Sequence, residues 1–323
     1  MTLEDIRAAG RVLAGVAIRT PLVPYRSPDD RRFLKAESLQ SIGAFKIRGA
    51  YHAVACLTDE QRARGVITYS SGNHAQGVAR AARLLGCLAV VVMPSDAPAI
   101  KRERVAADGA EIVVVGTASD ERQRVAGSMA IARGLTIIPP YDDDRIIAGQ
   151  GTVGLEIVED LPDVAAILVP IGGGGLASGV ATAVQALRPS ARVIGVEPEL
   201  AADARESLAS GAIVRWPAER VSRTIADGTR TQSIGERPFA HLKAYLDDVI
   251  TVSEAEIVAG VRLAAEYSRL VVEPSGALVV AALAYRSREA GLTGLDGPIV
   301  GVVSGGNVDP KAYRRYLAAP LPG

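Results

Sequence analysis

Apolar residues recur along this chain in two rhythms. Short β-branched runs read as strands, at 66-VITY-69, 88-LAVVVM-93, 111-EIVVV-115, 135-LTII-138, 165-AAILVP-170, 192-RVIGVE-197 and 298-PIVGVVS-304. Helical spacing fills the segments between them, as in 119-SDERQRVAGSMAIARG-134, whose last glycine is a stop signal. Strand and helix in alternation predict an α/β protein whose sheets are mostly parallel and flanked by helices on both faces. The opening MTLEDIRAAGRVLAG reads as an amphipathic helix with Thr2 and Asp5 as a capping pair. The longest apolar stretch, 164–187, is interrupted by Pro170 and four consecutive glycines, so it reads as strand, loop and helix rather than as a membrane span.

The turn 139-PPYDDD-144 follows four strand candidates and precedes a long helical pattern, which predicts a crossing between two lobes. The expected smaller lobe is 54–141; the larger is 1–53 together with 142–323. The stretch 211–238 has weak periodicity and several turn residues, and a long irregular segment inside a compact domain points to function.

Composition narrows the class. The 323 residues are 48% hydrophobic, enough for a substantial core, and 36 basic residues balance 36 acidic ones. A net charge of zero gives no reason to expect nucleic acid or an anionic membrane as partner, which leaves a small molecule. Two cysteines, Cys56 and Cys87, argue against a disulfide framework and suit a reducing cytoplasm. The N-terminus lacks the apolar segment of a signal peptide, so a cytoplasmic protein is expected.

One lysine and three loops carry the chemistry. Lys46, in 41-SIGAFKIRGAY-51, lies among small and apolar residues. It is either a surface lysine at a helix start or a buried amine with a covalent task. The run 169-VPIGGGGLASG-179 follows a strand and opens a helix, and glycines there let backbone N–H groups approach a phosphate. Gly172, Gly174 and Ala177, with Glu197 about 20 residues on, also fit a dinucleotide fingerprint, so an NAD-dependent enzyme is a rival that leaves Lys46 unexplained. In 68-TYSSGNHAQG-77, residues Ser70, Ser71, Gly72, Asn73 and His74 can hold a carboxylate or phosphate; plain helix capping is the simpler reading. Ser304, in 302-VVSGGNVD-309, ends a buried strand, where α/β sheets place ligand contacts.

Taken in order, GAFKIRGA, SSGNHAQG, GGGGLASG, EPSGA and SGGN resemble the pyridoxal-phosphate-dependent threonine/serine dehydratase and serine racemase family, of fold type II (tryptophan-synthase-β-like). The resemblance runs from about Arg19 to about Asp309. It implies two lobes, each with a mostly parallel twisted sheet, and a homodimer. It implies that Lys46 carries pyridoxal 5′-phosphate covalently beside Phe45, that Gly172, Gly173, Gly174 and Gly175 hold the phosphate, that Asn73 meets the ring hydroxyl and that Ser304 faces the ring nitrogen. Glu273, in 273-EPSGA-277, would sit near the ring; otherwise it is a helix N-terminal acid. Ser70 to His74 would receive the substrate carboxylate, with Lys46 and Ser71 as catalytic groups on opposite faces of the cofactor. In 195-GVEPELAAD-203, the resemblance to the racemase branch implies a divalent cation (magnesium, manganese or calcium) on Glu197, Asp203 and the Ala201 carbonyl, against a solvated acidic loop. The activity implied is an α,β-elimination that turns L-threonine, L-serine or a related β-hydroxy amino acid into a 2-oxo acid and ammonia. Serine racemase and 3-hydroxyaspartate dehydratase are alternatives in the same family, and a binding module that has lost chemistry is the non-enzymatic one.

Overall fold

Ten strands are present among the described residues: β1 (Leu22–Pro24), β2 (Arg32–Ala36), β3 (Val66–Tyr69), β4 (Ala89–Pro94), β5 (Glu111–Val115), β6 (Thr136–Ile137), β7 (Ala166–Pro170), β8 (Arg192–Pro198), β9 (Asp248–Val252) and β10 (Ile299–Val303). The computed structural model describes the chain except Ser71, Asp96, Pro98, Thr117, Ala118 and Gly323, and gives the backbone alone for Pro28, Ala99, Ile100, Ser119 and Asp120. The strands form two sheets, ordered β1-β2-β10-β7-β8-β9 and β5-β4-β3-β6. Only the edge pair β1–β2 is antiparallel among the strand pairs described. This is the α/β architecture that the alternation predicted, and each of the seven expected strands forms within a residue or two of its expected bounds.

The larger sheet is covered on both sides. Ala166 and Leu168 of β7 face a core shared with helices Glu254–Ser268 and Pro274–Tyr285. Ile167 and Val169 face the opposite core, with helices Asp144–Asp160 and Gly175–Leu187. That alternation is the period-2 geometry of a strand buried on both faces. The smaller sheet is likewise flanked, by helices Lys46–Ala55 and Asn73–Leu85 on one side and Ser119–Arg133 on the other. Among the described residues no helix is long and apolar enough to cross a membrane.

Strands β1, β2 and β9 were not expected. Charged residues flank or interrupt them, and β2 (RFLKA) carries Lys35 into the interior. Pairing makes that possible: the Lys35 ammonium donates to the Thr20 carbonyl at 2.7 Å and to Glu156 at 2.6 Å. The same cluster holds Arg48, whose guanidinium donates to both oxygens of buried Glu37 at 2.8 Å and to Glu156 at 2.6 and 2.9 Å. Arg48 is in the first turn of helix Lys46–Ala55, so this buried network pins the helix that starts at Lys46.

Three helices meet without side chains between them. A Cβ on Gly149, in Asp144–Asp160, would lie 2.6 Å from the Cα of Gly49 in Lys46–Ala55. One on Gly179, in Gly175–Leu187, would lie 2.4 Å from the Ile147 carbonyl. Only glycine allows backbones to approach so closely.

Candidate active site

Lys46 is placed by the end of β10. The Phe45 amide donates to the Ser304 carbonyl at 3.0 Å, and Ala44 forms an isolated bridge with Gly305. The helix Lys46–Ala55 then begins at the lysine itself. Its ammonium donates to the Pro140 carbonyl at 2.6 Å and lies 5.1 Å from the centre of the Phe45 ring. Burial disfavours the charged form and lowers the amine to about 8.

Gly172 to Gly175 join β7 to helix Gly175–Leu187, with Gly174 at a positive φ of 90° as the helix cap. Other elements press against every glycine. A Cβ on Gly173 would lie 2.1 Å from the Tyr141 ring, one on Gly174 2.7 Å from Pro238, and one on Gly172 3.0 Å from the Thr229 Cα. The loop is therefore a cradle that any side chain would fill, and it stands at a helix N-terminus, where backbone N–H groups and the helix dipole favour an anion.

A polar chain closes the site on the side of the smaller sheet. Asn73 opens helix Asn73–Leu85; its amide donates to Glu273 at 2.7 Å and accepts from Asn307 at 2.8 Å. Burial raises the Glu273 carboxyl to about 7, with the negative charge of Asp227 adding to the shift. Glu273 stands at the start of helix Pro274–Tyr285 but does not cap it through its side chain. Ser70 accepts from the Gly72 amide at 3.3 Å, and Lys101, close to Gly72, forms an ion pair with Asp227. Buried Ser304 closes β10. His74 is buried with Nε2 3.0 Å from the Ile138 carbonyl, and burial with the Lys46 charge lowers it to about 3, so the ring is neutral. Ser71 lies outside the described residues.

Glu197, Ala201 and Asp203 lie together away from this centre, after β8. The Glu197 carboxylate accepts from the amides of Ala204 at 3.0 Å and Arg205 at 2.8 Å. The two buried oxygens of Asp203 have no hydrogen-bond partner. Burial raises Asp203 to about 7; burial and the Asp203 charge raise Glu197 well above the usual carboxylate range. Among the described residues no group of three or more His, Cys, Asp or Glu side chains gathers to hold a metal. These amide contacts also engage the acid that the dinucleotide reading needs for a ribose. The sheet order, with an antiparallel edge and a separate second sheet, differs from the six-stranded parallel order of a dinucleotide fold.

The sequence did not single out Tyr141, Pro140, Thr229, Asn307, Lys101 or Asp227 as site residues. Pro140 and Tyr141 belong to the turn read as a crossing point. Asp227 and Thr229 belong to the irregular stretch expected to be functional. Asn307 ends SGGN, and its amide spacing gave no signal of its own.

The residues present fit a phosphorylated carbonyl cofactor: a deprotonable amine, an anion cradle at a helix start and a buried hydroxyl opposite. A family model described as pyridoxal-phosphate dependent enzyme matches residues 13–305. An L-threo-3-hydroxyaspartate ammonia-lyase of Saccharomyces cerevisiae is 40% identical over 100% of this chain and 98% of its own length. An L-threonine ammonia-lyase of Thermotoga maritima is 41% identical over 98% of this chain and 78% of its own length. The structure of maize serine racemase superposes with a TM-score of 0.91 at 39% identity, covering 97% of this chain and 96% of that one.

Proposed function

The chain belongs to the pyridoxal-phosphate-dependent enzymes, and on that premise we propose that it is an ammonia-lyase of β-hydroxy amino acids. It takes L-threonine, L-serine or a close analogue to a 2-oxo acid and ammonia. The observation that carries this reading is the Lys46 amine, lowered to about 8 by burial and held at the end of β10 beside Ser304. An amine of that basicity is both a nucleophile and a base near neutral pH.

Gly172 to Gly175 hold the cofactor phosphate, Asn73 offers its remaining N–H to the ring hydroxyl, and Ser304 offers a neutral hydroxyl to the ring nitrogen. When bound, the cofactor withdraws electron density from the substrate α-carbon. Backbone amides and hydroxyls from Ser70 to His74 receive the substrate carboxylate; the buried imidazole of His74 supports that loop through Ile138. Lys46 takes the α-proton, the β-hydroxyl leaves as water with a proton, and the released enamine hydrolyses to 2-oxo acid and ammonia. Tyr141 against Gly173 covers the cradle and excludes water. Ser71, assigned here from its motif, offers a hydroxyl on the face opposite Lys46, which allows minor racemisation. The lobes divide at 54–141 and at 1–53 with 142–323, a division supported by the two sheets, and the cofactor lies between them.

Glu197, Asp203 and the Ala201 carbonyl would furnish hard oxygen donors to a divalent cation, with water completing its shell. The unpartnered, buried Asp203 carboxylate supports this.

The test is a panel of L-serine, D-serine, L-threonine and L-threo-3-hydroxyaspartate with cofactor-loaded protein, scored for 2-oxo acid and for the substrate's enantiomer. Release of 2-oxo acid from an L-substrate is expected. Racemisation without elimination would favour the racemase alternative, and no product from any of the four would end the reading.

A further inference from the structure

The geometry points to a second reactive centre, and we propose that Cys56 is a thiol-modification site that exchanges with low-molecular-weight disulfides, with His52 as its base. Both residues are at the far end of the helix that begins at Lys46, one turn apart: His52 inside it and Cys56 as its C-cap. The Cys56 sulfur is 3.3 Å from His52 Nε2. On the other side of the ring, Nδ1 is 2.8 Å from the Arg145 carbonyl oxygen. A carbonyl can only accept, so Nδ1 carries the hydrogen and Nε2 turns its lone pair to the thiol. His52 is buried and Cys56 exposed, which fixes the base and leaves the nucleophile open to solvent.

The charged groups around the pair are few. Asp5 of the first helix, and Asp143 and Arg145 at the start of Asp144–Asp160, face His52; Asp143 and Arg145 face Cys56. Burial lowers His52 below its usual value of 6.5, so its lone pair is available at neutral pH. Burial also raises the thiol above its usual 9.0, so little free thiolate is present without the imidazole. In the exchange, the S–H proton passes to Nε2 and sulfur attacks one sulfur of the disulfide. The old S–S bond breaks as the Cys56 mixed disulfide forms, and the departing thiolate takes up the proton. No net oxidant beyond the disulfide is needed.

Cys87, half-buried and also raised by burial, is the internal control. The experiment treats the holoenzyme with oxidised glutathione between pH 6.5 and 8.5 and follows each cysteine by peptide mass spectrometry. An isolated thiol below its pKa gains about tenfold in rate per pH unit, because its thiolate fraction does. Cys87 is expected to follow that slope. Cys56 is expected to change less than about threefold over the same range, since a neutral imidazole already stands beside it. The slope, unlike the rate, does not depend on how exposed each sulfur is. His52→Gln and His52→Asn, each checked for unchanged cofactor absorbance and melting, should return Cys56 to the steep slope. A steep slope for Cys56 in the unmodified protein overturns the proposal, as does a shallow slope that survives both substitutions.

Discussion

Replacing Gly173 with alanine tests the cradle directly. The new Cβ would lie 2.1, 2.2 and 2.4 Å from three ring atoms of Tyr141. Ordinary contact begins near 3.4 Å, so the rigid ring and the loop must separate by more than an ångström. Neither partner is the free end of a flexible chain: Tyr141 also packs by its backbone against Gly175, and the loop is held by β7 and its helix. Overpacking of this kind costs about 1–3 kcal/mol. If the strain falls on the anion cradle, cofactor affinity drops by about 5- to 150-fold, the same free energy expressed as a ratio. The assay is titration of apoprotein with pyridoxal phosphate, followed by absorbance, with melting of the apoprotein measured alongside. Tyr141→Ala in the Gly173→Ala background removes the ring atoms from the clash and should recover most of the affinity. An unchanged dissociation constant in Gly173→Ala would refute the reasoning. So would a Tyr141→Ala combination that binds no better than the single variant.

Further outcomes follow from the same geometry. Lys46→Ala should abolish turnover and leave no cofactor bound to the protein after borohydride reduction, as judged by mass. In the unmodified apoprotein, the rate of covalent cofactor capture should rise with pH and level off above about 8, because burial lowers the amine from 10.5 and the neutral form is the nucleophile; a rise that continues to pH 10 would contradict this. Chelation should lower the melting temperature more at pH 8 than at pH 5.5. Asp203 at about 7 and Glu197 higher still are increasingly protonated as pH falls, so protons replace the cation; a cation at 100 times its dissociation constant adds about 2.7 kcal/mol, and equal shifts at both pH values would count against it. Arg48→Met leaves Glu37 buried beside an apolar chain and should cost about 3–5 kcal/mol in urea unfolding.

The strands that the sequence disclosed are those in which β-branched residues crowd together, such as β4 and β7, because burial on both faces selects them. It concealed β2, where Lys35 broke the pattern; only the distant partners Thr20 and Glu156 make that lysine a core residue. The site divides in the same way. A four-glycine run signals a close approach by its own composition, but what approaches it is Tyr141, more than thirty positions earlier, and no local pattern announces that contact. Glu273 was readable as either a helix-start acid or a ring neighbour. Its hydrogen bond to Asn73, across 200 positions, depends on two loops meeting and could not be read from either one.

The glycine contacts among helices Lys46–Ala55, Asp144–Asp160 and Gly175–Leu187 limit how this protein can change. Where backbone touches backbone, no neighbouring side chain can shrink to make room for a larger residue at Gly149 or Gly179. A substitution there must move a whole helix, and with it either the lysine or the anion cradle. Single mutations at these positions therefore offer no gradual route to altered geometry. Heritable variation in substrate preference is left to the segments outside that frame, around Ser70–His74 and 211–238. New activities can arise there without disturbing the distance between amine and phosphate.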